Sequence, residues 1–517
     1  MIFTSPHGTI AIPQDKTVWT VMEQRAAEHP EKPALICGLT ERTLTFAEVY
    51  QQANQICAGL AALGIKKGDI VLLHSFNCME YPIVFMALSR LGAISSASSP
   101  LFKPQELADQ IKAANVRLPC WNAMVNMSYR PASDLPIALA GYESRRDLIE
   151  KDVPFPNLPP VDPSAVVALP FSSGTTGLPK GVQLTGRAMF SAVVMASHTQ
   201  DELPYLLGML PFFHILATMI FHVTLYRGFG LIILPRFDPD NFLRVIVQYK
   251  IEVISVAPPL VQFFAKHPAV DNYDLSHVKF LGSGGAALGK EVEDAVEKRI
   301  GAKVVQGYGM TEFAGPVSYP TFGENRPGST GVLLPNTEMR VRDLDTGKYL
   351  GVNEHGELLF RTPSMMIGYY NNPEENKEAF TEDGFLRTGD IGYIDEDGYI
   401  FIVDRVKEMI KYKGHQVAPA ELEDILHNLP AIADSCCVRG LDKATGEEIP
   451  KAFIVLQENA ESITAEEIME YVSSKVAPYK QIRQVEFIDS VPKSLSGKVL
   501  RKVLQEVEDK KTHPGHP

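Results

Sequence analysis

Several absences narrow the chain before any motif is considered. Six cysteines (Cys37, Cys57, Cys78, Cys120, Cys436 and Cys437) in 517 residues form no Cys-x-x-Cys pair and no Cys/His ligand spacing. That excludes a disulfide framework and a structural zinc site, and it fits reduced thiols in a cytoplasmic protein. Positive charge is in deficit: 62 Asp and Glu against 49 Lys and Arg leave a net charge of −13. Such a field repels phosphate backbones, so nucleic acid is not expected as a partner. The start, Met1-Ile2-Phe3-Thr4-Ser5, lacks the basic and apolar segments of a signal peptide, and Gly515-His516-Pro517 is not a peroxisomal address. One stretch, Leu203 to Tyr226, carries no Asp, Glu, Lys or Arg. It contains Pro204, Pro211, His214 and His222 and runs into Gly228 and Gly230, which suits a buried helix and strand better than a membrane span. No internal repeat or low-complexity tract is present.

What remains is an ordinary globular composition, 45% hydrophobic and 21% charged, long enough for two or three domains. In the first third, Thr45-Phe46-Ala47-Glu48 is a capping box opening a helix that Gly64 stops. A buried strand over Asp69–His74 and a helix from Tyr81 to Leu91, closed by Gly92, follow. This alternation predicts βαβ units and a largely parallel sheet. Residues from Leu118 to about Pro163 are proline-rich and without period. Past Gly331, short β segments between Gly, Asp and Asn turns predict a small antiparallel barrel or sheet. After Val403, helix and strand alternate on a smaller scale, outlining an α+β unit of about a hundred residues. The expected fold class is thus a large α/β N-terminal domain (two βαβ-type subdomains plus a small β-barrel) with a smaller α+β C-terminal domain.

The chemistry concentrates in five places. Ser172-Ser173-Gly174-Thr175-Thr176-Gly177-Leu178-Pro179-Lys180-Gly181 follows an apolar strand, Ala165–Leu169, and precedes a helix from about Arg187. Gly, Ser and Thr offer many donors with little bulk, as wrapping a polyphosphate requires, and Lys180 adds a point charge for the β- and γ-phosphates. It is not a Walker A loop, because the Gly-to-Lys spacing differs and no Ser or Thr follows the lysine. Gln306-Gly307-Tyr308-Gly309-Met310-Thr311-Glu312 lets backbone and a ring approach a planar base, with Thr311 and Glu312 suited to a phosphate oxygen and Mg²⁺. Asp390, in Thr388-Gly389-Asp390, can accept from both ribose hydroxyls. In Asp404-Arg405-Val406-Lys407-Glu408-Met409-Ile410-Lys411, Lys407 and Lys411 stand four apart and share a face if helical. Pro492-Lys493-Ser494-Leu495-Ser496-Gly497-Lys498 delivers one lysine just before a C-terminal helix. Singly, each has an everyday reading: a flexible loop, a turn, a solvated face.

Together, in this order, the motifs resemble the acyl- and aryl-adenylate-forming superfamily of acyl-CoA synthetases, firefly luciferase and peptide-synthetase adenylation domains. The run Val403-Asp-Arg-Val-Lys-Glu-Met-Ile-Lys-Tyr-Lys-Gly-His-Gln-Val-Ala-Pro-Ala-Glu421 is most similar to the 4-coumarate–CoA ligase branch. The resemblance implies an acid–CoA ligase: a carboxylic acid and ATP give acyl-AMP and pyrophosphate, then the acyl group passes to CoA. A luciferase-like or carrier-protein-loading enzyme, or an inactive nucleotide sensor, is the competing reading. The implied substrates and cofactors are ATP, Mg²⁺, CoA and an aromatic, hydroxycinnamate-like or medium-chain acid; the assembly expected is a monomer or homodimer.

By family pattern, Ser172 to Gly177 and Lys180 hold phosphates, Gln306 to Gly309 frame adenine with Tyr308 stacked on it, and Thr311 binds the α-phosphate. Glu312 takes Mg²⁺, Asp390 and Arg405 the ribose, and Lys498 bridges carboxylate and α-phosphate. His214 stands at the mouth of an acyl pocket lined by Ser283, Gly284, Gly285, Ala286, Gly307, Phe313, Ala314, Gly315, Pro316 and Val317. The resemblance also implies an N-terminal domain over 1–403, a hinge at 404–407 and a mobile C-terminal domain over 408–517. Its rotation would bring Lys411, Lys413, Gly414 and Gln416, with Lys407 at the pivot, to the CoA side. The chain departs from the plant ligases at Phe313, an added residue placed at the pocket wall, at His415 and at Gly186.

Overall fold

The computed structural model describes residues 1–121, 154–172, 179–198, 203–284, 290–321, 326–413, 415–442, 447–457, 463–494 and 498–512. Local chemistry sets many element ends. Thr45 Oγ1 accepts from Glu48 N at 3.3 Å while the Glu48 carboxylate accepts from Thr45 N at 2.8 Å, so the capping box opens the helix Phe46–Ala62 as predicted. The helix Glu80–Leu91 ends on Gly92 at φ +75°, a left-handed cap that a side chain would strain.

The expected parallel sheet is parallel only in part. Strands Leu118–Trp121, Ile70–His74, Ile94–Ser98 and Val166–Ala168 run parallel in spatial order. Lys180–Thr185 then joins antiparallel, with Phe171–Ser172 and Gly368–Tyr369 paired to it. The two ends of the Ser/Thr/Gly-rich motif are therefore antiparallel neighbours, with Ser172 paired to Lys180. A second sheet runs Tyr205–Gly208, Gly230–Ile233, Pro33–Cys37, Thr43–Thr45, and a third, all parallel, runs Val253–Val256, Phe280–Ser283, Lys303–Gln306. The charge-free stretch resolves into the strand Tyr205–Gly208 and the buried helix Ile215–Arg227. Among the described residues no helix is long and apolar enough to cross a membrane, and Cys37, Cys57, Cys78, Cys436 and Cys437 are free thiols.

The short β segments past Gly331 form an open five-stranded antiparallel sheet, a half-barrel, whose edge strand is Phe3–Thr4 from the start of the chain. Its last strand, Ile400–Arg405, leads into the C-terminal α+β domain, which has its own core around Ile410, Leu422, Ile454 and Ile468. The shared helical face of Lys407 and Lys411 does not exist. Residues 406–408 form a turn, and Ile410–Tyr412 is a strand paired with His415–Val417 through Lys413 at φ +49°. Fully buried Ile410 between outward neighbours has strand alternation, which four-residue charge spacing alone could not distinguish from a helix.

One buried cation holds this domain's last helix, Arg501–Thr512, to the turn after the half-barrel. Arg501 donates to Glu408 (2.8 Å), Glu423 (3.1 Å) and the Cys437 carbonyl (2.6 Å), with 12% of its side chain exposed. Removing one member of such a network leaves uncompensated buried charge. Arg501→Ala should therefore destabilise the C-terminal domain by about 3–5 kcal/mol. Hydrogen exchange should quicken in peptides of that domain while those of the parallel sheet stay protected.

Candidate active site

A cavity of about 2000 Å³ runs between the N-terminal sheets and the C-terminal domain. Its nucleotide end is built from four elements. The strand Lys180–Thr185 brings Lys180, whose ammonium pairs with Glu375 and lies 5.2 Å from the centre of the Tyr369 ring. Tyr369 donates its hydroxyl to Glu312 at 3.0 Å, and its backbone is held on both sides by the Asn376 amide at 2.6 and 3.0 Å. Glu312 sits in a 3₁₀ turn, Thr311–Phe313, directly after the strand Tyr308–Met310. Asp390 lies within the long strand Leu386–Ile394, where Gly389 at φ +70° breaks the regular pairing.

These groups are arranged around charge. Tyr308 donates to Asp390 at 2.6 Å and Arg405 reaches its other oxygen at 3.4 Å. Burial pushes the Asp390 carboxyl up, against Arg405, and pushes the Tyr308 phenol well up, so the phenol remains a donor. Two of the carboxylate's acceptor sites are thereby used, and its capacity exceeds two. Lys498 arrives from the C-terminal domain on a loop closed by Ser494 N to the Lys498 carbonyl (2.8 Å) and Lys498 N to Ser494 Oγ (3.1 Å). Loss of hydration, then the like charge of Arg405, lowers its ammonium to about 8, while Asp390, Glu408 and Glu312 pull it back. His214, at the cap of the helix Ile215–Arg227, is lowered to about 4 by burial and then by Lys498. It is neutral at physiological pH. Leu216 N donates to its Nδ1 at 3.4 Å, which leaves the proton on Nε2.

Among the described residues no cluster of three or more His, Cys, Asp or Glu could hold a metal ion alone. Buried Glu312, linked through Tyr369 to Lys180, nonetheless fits Mg²⁺, a hard cation that commonly shares one carboxylate with substrate phosphates, and would be the group to hold it.

The other end of the cavity is apolar. Leu210, Phe213, Met219, Ile220 and Val223 line it. Ser283–Gly284 and Gly307–Gly309 also line the cavity. A Cβ on Gly307 would meet the Tyr319 ring at 2.6 Å, and one on Gly309 the Gly315 carbonyl at 2.2 Å.

Of the anticipated residues, Ser172, Lys180, Thr311, Glu312, Asp390, Arg405 and Lys498 line the nucleotide end or centre, with Gln306 through Gly309 beside them. His214, Ser283, Gly284, Gly315 and Pro316 line the acid end, and Lys407 the rim. Gln306 also donates to buried Glu293 at 2.8 Å. Ser173 to Gly177, Gly285, Ala286 and Gly414 lie outside the described residues. Phe313 is not at the pocket wall: it is fully buried and packs edge-on to Phe360 at 5.7 Å, and Ala314 and Val317 likewise join the core. The turn at Ala314, φ +56°, directs the added residue inward. Lys411, Lys413 and Gln416 are exposed and away from the cavity; His415 stacks on Tyr479 at 4.4 Å. Sequence reasoning missed Tyr369 and Glu375, which no motif marks.

Residues 22–370 match the AMP-binding enzyme family, and 421–498 the AMP-binding enzyme C-terminal domain. The chain is 40% identical to 4-coumarate–CoA ligase 1 of Solanum tuberosum over 98% of its own length and 96% of that protein's. It is 41% identical to 4-coumarate–CoA ligase of Pinus taeda over 93% of each. Among solved structures, o-succinylbenzoate–CoA synthetase of Bacillus subtilis with its acyl-adenylate superposes at TM-score 0.84 with 25% identity, covering 95% of this chain and 98% of that one. An anthranilate–CoA ligase with anthranoyl-AMP superposes at 0.86, also at 25% identity, covering 96% and 98%.

Two outcomes follow from the charges. Lys498 loses its proton as pH rises through about 8, so kcat/KM for acid-dependent pyrophosphate release should fall above that pH with a one-proton slope. Lys498→Arg, whose charge persists, should move that limb upward. Glu375 pairs with Lys180, so a phosphate bound there would have to compete with it. Glu375→Gln should lower the KM for ATP several-fold, up to about tenfold, in steady-state assays, that being the scale of one partly shielded ion pair.

Proposed function

The chain belongs to the AMP-binding enzyme family, and on that premise we propose that it activates a planar aromatic acid and passes it to CoA through two arrangements of one C-terminal domain. It is an ATP-dependent acid–CoA ligase: the acid displaces pyrophosphate from ATP to give acyl-AMP, and the CoA thiol then displaces AMP to give the thioester.

In the first step Lys498 bridges the attacking carboxylate and the α-phosphate. Two anions must meet there, and a desolvated cation placed where charge concentrates lowers that barrier. His214, neutral with Nε2–H free to donate, orients the carboxylate from the acid side. Asp390 and Arg405 hold the ribose, Tyr308 flanks the base, Thr311 meets the α-phosphate, and Lys180 takes the departing phosphates. Mg²⁺ bound at Glu312 would neutralise phosphate charge. In the second step a turn about 404–407 withdraws Lys498 and presents Lys411, Lys413 and Gln416 to CoA. Their exposed position in this structure suits an enzyme set for adenylation.

The single observation that carries the reading is the convergence of Lys498, Asp390, Arg405 and His214, from both domains, on one cavity. The acid is inferred from the apolar lining of the cavity by Leu210, Phe213, Met219, Ile220 and Val223, which suits an aromatic ring. The relatives named for 4-coumarate, at 40% and 41% identity, make a hydroxycinnamate the first acid to try.

Pyrophosphate release and thioester formation over cinnamates, benzoates and C6–C16 fatty acids, with and without CoA, test this. Aromatic acids should give the highest kcat/KM and a thioester only with CoA. A clear preference for fatty acids would overturn the aromatic assignment, and release indifferent to CoA would point to another acceptor. Lys498→Ala should lose about 10²–10³ in adenylation while converting preformed acyl-AMP to thioester normally. Equal loss of both halves would refute that role.

A further inference from the structure

We propose that Asn77 is the positioning residue of the acid-binding end, holding the loop that carries His214 in register with the nucleotide half. The inference rests on the role given to His214 above.

Asn77 lies in the connection between the strand Ile70–His74 and the helix Glu80–Leu91, and it is 4% exposed. Its Nδ2 faces three successive backbone carbonyls, Gly208 (3.3 Å), Met209 (3.2 Å) and Leu210 (2.8 Å). Its Oδ1 accepts from Phe212 N at 2.8 Å. The amide orientation is dictated by these partners: carbonyls on one side demand a donor, and the N–H on the other demands an acceptor. One side chain thus grips the backbone from Gly208 to Phe212.

That grip is handed on to the site. His214 N donates to the Pro211 carbonyl at 2.9 Å, and Thr218 Oγ1 donates to the Phe212 carbonyl at 3.0 Å. The ring of His214 therefore stands on a segment fixed upstream by Asn77 and downstream by its own helix. Leu210, Phe213 and His214 from this segment all line the acid end.

The connection also crosses sheets. Ile70–His74 belongs to the sheet that carries Lys180, whereas Tyr205–Gly208 belongs to the neighbouring one. The segment Asn77 holds comes directly off that second sheet, so Asn77 sets the offset between the phosphate-binding half and the carboxylate-binding half. Attack requires carboxylate and α-phosphate within near-attack distance, and a displacement on the order of 1 Å costs up to about 10²-fold. A residue that served stability alone would change the KM values for acid and ATP alike.

The test is a double-mutant cycle on the full-length enzyme, read in both substrates. Asn77→Ala should raise the KM for the acid about tenfold and lower kcat for pyrophosphate release by about 10–10²-fold, with the KM for ATP within about twofold of wild type. Asn77→Asp keeps the acceptor but turns an oxygen toward three carbonyls, and it should be at least as impaired. In a His214→Ala background, Asn77→Ala should cost far less than in the wild type, because both act through one loop. Equal changes in both KM values, or fully additive losses, would overturn the proposal. His214→Ala with wild-type acid kinetics would instead refute the role of His214, and that result is visible without any Asn77 variant. Should Asn77→Ala fail to fold by circular dichroism, Asn77→Ser, which keeps a smaller donor and acceptor, carries the same comparisons.

Discussion

A lysine carried on a loop near the end of the chain lies in a cavity whose walls come from five N-terminal sheets, and the rest of the site is organised around keeping it charged. Lys498 surrenders hydration on entering, and its charge survives there because Asp390, Glu408 and Glu312 offset the burial and the repulsion of Arg405. Burial, and then the charge of Lys498, keeps the His214 pKa low, and the Leu216 N–H on Nδ1 leaves its Nε2 a donor. The site is therefore poised for anions. Internal carboxylates pair with its cations, Glu375 with Lys180 and Asp390 with Arg405.

This dependence explains the architecture on either side. The strands Phe171–Ser172 and Lys180–Thr185, which flank the Ser/Thr/Gly-rich motif, pair antiparallel beside a parallel sheet and bring Lys180 to the cavity. The strands Phe280–Ser283 and Lys303–Gln306 run into Gly284 and Gly307 at the cavity, and Gly307 is packed too closely against Tyr319 to accept a side chain. The two halves belong to different sheets, so their relative offset has to be held by side chains that cross between them. Asn77 is such a crossing, and Tyr369, bridging the lysine and carboxylate of the phosphate end, does comparable work inside one half.

The C-terminal domain is tied down on one side and released on the other. Arg501 binds its last helix to Glu408, and Asp404 accepts from Ala420 N at 2.9 Å, clasping the first turn of the helix Pro419–His427. Burial raises the Asp404 carboxyl to about 6, with Arg501 opposing. The surface bearing Lys411, Lys413 and Gln416 meanwhile faces solvent. A domain holding one catalytic group in and another set out is what a two-step reaction with two acceptors requires.

The sequence by itself determined the features whose causes are local: the capping box at Thr45, the stop at Gly92, the donor-rich loop ending in Lys180, and the lysine after Ser494. Each follows from a few neighbouring residues, so composition and spacing suffice to read it. Only the tertiary structure decided which of several lysines enters the cavity, that Phe313 turns into the core, and that the turn after Arg405 leads into a strand. It alone brought Glu375 to Lys180 across 195 residues and Asn77 to the loop of His214 across more than 130. Those contacts depend on which strands become neighbours. That pairing is fixed by burial of whole faces, which no short stretch of the chain encodes.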